Sequence, residues 1–227
     1  MNRDILIAGG SKGGVGKSVV CVGIIDTVRS RGDVPLLIES DTSNPDVLKM
    51  YKDEIRTETI DLDEANGWID FINVCDAYRD GPVIVNTAAR NNRGVSAHGV
   101  MLNNALGELA RRIVTFWVIN RQRDSLELLS EYMRAMQGSA LHVVRNAYYG
   151  DEHKFELYNG SRLRKQVEEA GGQSLLFPDL ADRVSDDLYS KRLSIDAALK
   201  QLPLGNRAEL TRWRSELRRV LGGVLYA

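Results

Sequence analysis

Seven residues near the start of the chain, Lys12-Gly13-Gly14-Val15-Gly16-Lys17-Ser18, have the types and spacing of a phosphate cradle. They follow an apolar stretch, Ile5-Leu6-Ile7-Ala8, and Ser18 opens a second one, Ser18-Val19-Val20-Cys21-Val22-Gly23-Ile24-Ile25. A strand that runs through glycines into a helix turns backbone N–H groups inward and adds the partial positive charge of the helix N-terminus. Lys17 then reaches β- and γ-phosphates, and the Ser18 hydroxyl ligates Mg²⁺. The chemistry predicted is nucleoside-phosphate binding at Gly13, Gly14, Val15, Gly16, Lys17 and Ser18.

Ser11 stands where the first glycine of the plain pattern falls, and Lys12 adds a second lysine inside the loop. The run resembles the deviant Walker A loop of the ParA/MinD-like ATPases, whose KGGxGK[ST] core is matched without a gap. The resemblance implies ATP and Mg²⁺ as ligands and a P-loop fold of the SIMIBI class. It also implies that Lys12 crosses a homodimer to the phosphates held by the other protomer, so that Lys12, Lys17 and Asp41 are the catalytic set. In that family two acidic residues spaced by one end the second strand. Here Glu39 replaces the first and Asp41 matches the second, which helps to position Mg²⁺ and the attacking water. The strand Val83-Ile84-Val85 ends in Asn86-Thr87-Ala88-Ala89, where the family carries an aspartate. Asn86 can hold a Mg²⁺-bound water through its carbonyl oxygen but brings no charge, so slow hydrolysis is expected with Ser18, Asp41 and Asn86 at the metal. Asn86→Asp is then expected to raise turnover. Arg90 and Arg93 occupy the second switch position, either at the γ-phosphate, at a partner, or as solvated loop charges. Asn146, just past a strand, has two readings, as a reader of the adenine edge or as a residue that starts a turn.

These residues need a scaffold, and apolar strands alternating with helices supply one. Val34-Pro35-Leu36-Leu37-Ile38, Val83-Ile84-Val85, Ile113 to Ile119, Leu141-His142-Val143-Val144 and Ser174-Leu175-Leu176-Phe177 read as further strands. A polar helical region with Trp68, Ile69 and Ile72 on one face follows Asp41. Helices are expected over 99–112 and 125–136, and the remainder after Phe177 is mainly helical. Near-continuous apolar strands separated by helices predict an α/β fold, a mostly parallel sheet covered on both faces in three layers. In such sheets ligands sit at the carboxyl ends of the strands.

The 227 residues fit one domain, 1–227, and are too few for two nucleotide-binding repeats in tandem. A net charge of −1 supplies no global basic field, so DNA contact requires a local patch. Cys21 and Cys75 are too few and too far apart for a disulfide framework or a zinc site, and Cys21 reads as a buried thiol. Cluster carriers of this superfamily use cysteines beyond the Walker B strand, and none follows Cys75. A strand immediately after Met1-Asn2-Arg3-Asp4 leaves no room for a signal peptide, and no apolar run approaches the ~20 residues that cross a bilayer. A cytoplasmic protein is expected.

From 206 to 224, Leu210, Trp213, Leu217, Val220, Leu221 and Val224 form one stripe, bordered by Arg207, Arg214 and Arg218 on one side and Glu209 and Glu216 on the other. This amphipathic helix is expected to dock on the core. The MinD branch uses such a helix on membranes and the ParA branch uses basic residues on DNA; the glutamates disfavour the membrane, and the arginine row suits DNA phosphates better. The expectation is an ATP-bridged homodimeric switch with weak ATPase activity that engages DNA or a DNA-bound adaptor in partition, positioning or conjugative transfer. The alternatives are a nucleotide-assembled binding module without turnover, and a metabolic ligase or kinase.

Overall fold

The computed structural model describes residues 3–10 and 12–226. Its elements, in chain order, are β1 (Ile5–Gly10), α1 (Lys17–Arg29), β2 (Leu36–Glu39), α2 (Asp46–Tyr51), β3 (Arg56–Thr59), α3 (Ala65–Ala77), β4 (Val83–Asn86), α4 (Asn92–Leu109), β5 (Ile113–Ile119), α5 (Arg123–Ala135), β6 (Ser139–Asn146), α6 (Glu156–Asn159), α7 (Arg162–Glu169), β7 (Ser174–Phe177), α8 (Asp182–Ser190), α9 (Ile195–Gln201) and α10 (Leu204–Leu225). The strands form one sheet in the order β3-β2-β4-β1-β5-β6-β7, with every pairing parallel.

Alternate residues of each central strand serve opposite faces. Leu6, Ala8, Leu37, Ile84, Phe116 and Val118 join α1, α2, α8, α9 and α10 in one core. Ile5, Ile7, Leu36, Ile38, Val83, Val85 and Trp117 join α3 to α7 in the other. This explains the continuous apolar runs, because both faces are covered. The expected three-layer α/β fold is the observed one.

Three elements differ from the sequence reading: β3, α4, and α3, on which Trp68 is buried but Ile69, expected on the same buried face, is exposed. β3 lies inside the region read as helical; its residues, Arg56-Thr57-Glu58-Thr59, are polar and part-exposed at the sheet edge, so no apolar run marks it. α4 begins at Asn92 and ends at Leu109, where Ala110 adopts φ +50° and stops it. Arg111, expected in the helix, instead donates to the carbonyls of Cys75, Tyr78 and Gly81 and is buried. Arg93 accordingly sits in the first turn of a helix and not in an extended loop.

The C-terminal helix docks on the core as expected. Leu210, Trp213, Leu217 and Leu221 are fully buried, and Leu217 packs where a Cβ on Gly23 of α1 would come within 2.8 Å. Two of the three arginines in the row are not free for phosphates. Arg214 and Arg218 both bind the carboxylate of Asp26, whose side chain is 3% exposed, and Arg212 pairs with Glu209 and Glu216. Cys21 is a buried thiol, as read from the sequence. Among the described residues no helix is long and apolar enough to cross a membrane.

Candidate nucleotide site

The glycine-rich loop joins β1, the central strand, to α1 at the carboxyl edge of the sheet. Gly14 has φ +78° and Gly16 φ +103°, a region that favours glycine. At Gly16 space forbids a side chain as well, since a Cβ would lie 2.3 Å from Asn146 Nδ2. No side chain caps the N-terminus of α1 and no acidic residue occupies its first turn, so its leading N–H groups and dipole are available to an anion. Ser11 lies outside the described residues.

The two loop lysines point at different partners. Lys17 is buried, and its Nζ donates to the Lys12 carbonyl at 2.8 Å. Burial pulls its ammonium down to about 8, and the Asp41 carboxylate opposes that shift, which places Asp41 within electrostatic reach of the cradle. Lys12 is half-exposed and pairs with Asp124 in the first turn of α5, holding that carboxylate below its usual range. Its charge is therefore neutralised by a partner on α5.

On one flank the loop is held by β6 and the turn after it. Asn146 Nδ2 donates to Val15 O at 3.0 Å, its Oδ1 accepts from Tyr148 N at 3.1 Å, and Tyr149 Oη donates to Gly14 O at 2.7 Å. Asn146 thus starts a turn and lines a cavity at once. That cavity, bounded by Gly14, Gly16, Tyr148, Phe177, Pro178 and Asp179, has a volume of about 180 Å³ and is open on one side. One amide hydrogen and one lone pair of Asn146 remain for a base.

The other flank holds the strand ends. Glu39 and Asn86 are register partners on β2 and β4, and Asn86 pairs in register with Ala8 of β1. Glu39 is fully buried; its Oε1 accepts from Asn86 Nδ2 at 2.9 Å and Asp41 N at 3.1 Å, and its Oε2 from Leu48 N at 3.4 Å. Burial pushes its carboxyl up to about 7 against those hydrogen bonds. The Oδ1 of Asn86 is buried without a hydrogen-bond partner.

The donor set fits Mg²⁺. Among the described residues no three His, Cys, Asp or Glu side chains converge to form a cage. Mg²⁺ instead keeps several waters and is bound through one or two protein oxygens plus substrate phosphates. Ser18 in the first turn of α1, Asp41 and the unsatisfied carbonyl of Asn86 offer oxygen donors of that kind.

Residues that sequence reasoning passed over bind the segments after β2 and β4 together. Asn91 Oδ1 accepts from Ser40 Oγ and from Ala88 N, and its Nδ2 donates to Asp63 at 2.9 Å. Arg90 also pairs with Asp63 and donates to Ser43 Oγ at 3.0 Å and Thr42 Oγ1 at 3.2 Å. Arg90, left open between several roles, is here the clasp between the segment after β2 and the segment after β4. Only the Asp-rich composition of 61–63 hinted at this. Asp124 and Tyr149 carried no local signal at all.

No family model matches this sequence. A curated relative, Protein MobD of Acidithiobacillus ferrooxidans, is 63% identical over 226 residues and covers 100% of both chains. The chain belongs to the MobD family. Solved structures with the same fold include the MinD cell division protein of Aquifex aeolicus (TM-score 0.56, 14% identity, 96% of this chain and 97% of that one). Another is the septum site-determining protein MinD with Mg-ADP from Pyrococcus horikoshii (TM-score 0.53, 15% identity, 99% of each). A third is a ParA family ATPase from Chlorobium tepidum (TM-score 0.50, 12% identity, 94% and 98%). At such identities the likeness is one of fold. This MobD-family chain therefore has the same fold as those MinD and ParA family proteins, the fold that its loop resemblance implies.

Proposed function

We propose that this MobD-family chain is an ATP-binding switch that dimerises on nucleotide and hydrolyses it slowly, acting in plasmid or DNA partition, positioning or conjugative mobilisation. The observation that carries the reading is the division of labour between the two loop lysines. Lys17 lies buried against the cradle, while Lys12 is held outward at the rim by Asp124. A half-exposed lysine paired outside its own loop supports a role towards a second protomer. The MobD relative supports the mobilisation branch of this reading, and the Mg-ADP bound by a MinD of the same fold supports Mg²⁺ and an adenine nucleotide as ligands.

Gly13 to Ser18 and the N-terminus of α1 would hold the phosphates, and the Asn146 cavity would take the base. Ser18, Asp41 and Asn86 would hold Mg²⁺, which when bound offsets negative charge on the β- and γ-phosphate oxygens. Asp41 would orient the attacking water. Lys17 must leave the Lys12 carbonyl to meet a phosphate, and Lys12 must leave Asp124 to cross to a partner. Both exchanges replace an existing contact, which gives the switch a defined nucleotide-free state. With Arg214 and Arg218 held by Asp26, a DNA contact has to use another surface or an adaptor protein.

Light scattering with a non-hydrolysable ATP analogue tests this. The wild type should double in mass, Lys17→Ala should neither bind nor dimerise, and Lys12→Ala should bind as a monomer. A wild type that stays monomeric, or a Lys12→Ala dimer, overturns the reading. Phosphate release with and without DNA then separates a slow ATPase from a module that assembles without turnover.

A further inference from the structure

The substitution of asparagine for aspartate at the end of β4 has a counterpart on the neighbouring strand. Residues 39 and 86 sit opposite one another on parallel strands, so their side chains leave the sheet on the same face. Glu39 is fully buried, accepts three N–H groups, and among the described residues has no lysine or arginine paired with it. A buried carboxylate without a cation is costly. Its one side-chain donor is Asn86.

That contact decides which way the amide faces. Asn86 Nδ2 is used on Glu39, which leaves Oδ1 as the outward end, buried and without a partner. With Glu39 ionised, the reversed amide would set a carbonyl oxygen against a carboxylate oxygen, two acceptors with no proton between them. The carboxylate therefore holds the amide in one orientation.

We propose that Glu39 is a positioning residue of the Mg²⁺ site: it fixes the Asn86 carbonyl towards the cation and supplies, one strand away, the negative charge that Asn86 lacks. This rests on the nucleotide–Mg²⁺ reading of the site. The pair then does jointly what a single aspartate does elsewhere in the fold, and it changes what a reversion does. Asn86→Asp alone places a second carboxyl group where the amide lay 2.9 Å from the first, and the two can stay in contact only by sharing a proton, which removes one of the two charges. It should weaken the site, contrary to the expectation drawn from residue 86 by itself. Glu39→Gln with Asn86→Asp restores the hydrogen bond with its direction reversed and keeps one negative charge.

The test is the factor by which Mg²⁺ tightens binding of a fluorescent ADP, measured by titration in EDTA and in excess Mg²⁺ for wild type, Glu39→Gln, Asn86→Asp and the double variant. Both single variants should lose most of the Mg²⁺ factor while keeping their affinity in EDTA, and the double variant should regain it. A Glu39→Gln variant with the wild-type Mg²⁺ factor, or a double variant no better than the singles, overturns the proposal. Loss of binding in EDTA by a folded Glu39→Gln also overturns it, because Glu39 then supports the loop and not the cation. Should Glu39→Gln fail to fold, Asn86→Ala carries the test: it removes the carbonyl together with the amide donor to Glu39, and an undiminished Mg²⁺ factor refutes the idea. A wild type that binds ADP with no Mg²⁺ effect sinks the proposal alone. A wild type that binds no ADP at all sinks the nucleotide reading beneath it.

Discussion

Asp26 and its two arginines offer a direct measure of what holds the C-terminal helix to α1. The Asp26 side chain is 3% exposed; Oδ1 lies 2.6 Å from the Arg214 guanidinium, and Oδ2 accepts from Arg214 Nε at 3.0 Å and Arg218 Nε at 2.9 Å. Breaking a buried ion pair from one side costs about 3–5 kcal/mol because the remaining charge is stranded. Here each arginine covers for the other. Arg214→Ala, which removes two of the three contacts, should cost about 2 kcal/mol. Arg218→Ala should cost about 1 kcal/mol, since that side chain is 34% exposed and screened by solvent. The double variant leaves the carboxylate buried alone and should cost about 5 kcal/mol, more than the two singles together. Equilibrium urea unfolding at pH 7.5 reads all four proteins. A double variant that costs no more than the two single losses combined would refute the shared burial of Asp26, and would return the arginine row to the surface as a candidate for DNA phosphates.

Leu217→Ala should destabilise by about 2–5 kcal/mol through the cavity left against α1, read by the same urea titrations; a loss under about 1 kcal/mol would mean that α10 is not seated. Gly94→Ala should cost about 1–3 kcal/mol, because its Cβ would fall 1.8 Å from the Leu62 carbonyl and displace the segment that carries Asp63; unchanged thermal unfolding would contradict this. His142 gives a pH dependence. Burial lowers its pKa, so between the unfolded value of about 6.5 and the lower folded value the unfolded chain binds a proton that the folded chain does not. Stability contributed by His142 is therefore present above that range and falls as the pH drops through it. The wild-type unfolding free energy minus that of His142→Gln should accordingly shrink between pH 7.5 and 5.5, and a constant difference would exclude the effect.

The nucleotide loop, five of the six other strands and the docking stripe of the last helix were legible in the sequence because each is a local pattern. Glycines at Gly14 and Gly16 answer to their own backbone angles, apolar runs answer to a sheet covered on both faces, and Leu210, Trp213, Leu217 and Leu221 answer to the helical period. β3 was not legible, since an edge strand of Arg56, Thr57, Glu58 and Thr59 buries too little to leave an apolar signature. The start of α4 was hidden for a similar reason, its first turn being Asn92-Arg93-Gly94.

What only the tertiary structure decided is pairing. Glu39 meets Asn86 across 47 residues, Lys12 meets Asp124 across 112, and Arg214 meets Asp26 across 188. A charged or amide side chain has the same composition whether it is solvated or paired, and neither its spacing nor its neighbours in the chain names the partner. The parallel sheet sets the partner by register and the packed helices set it by contact. The loop lysines, the switch acid and Asn86 could thus be recognised one by one, whereas their charge balance exists only once the strands lie side by side.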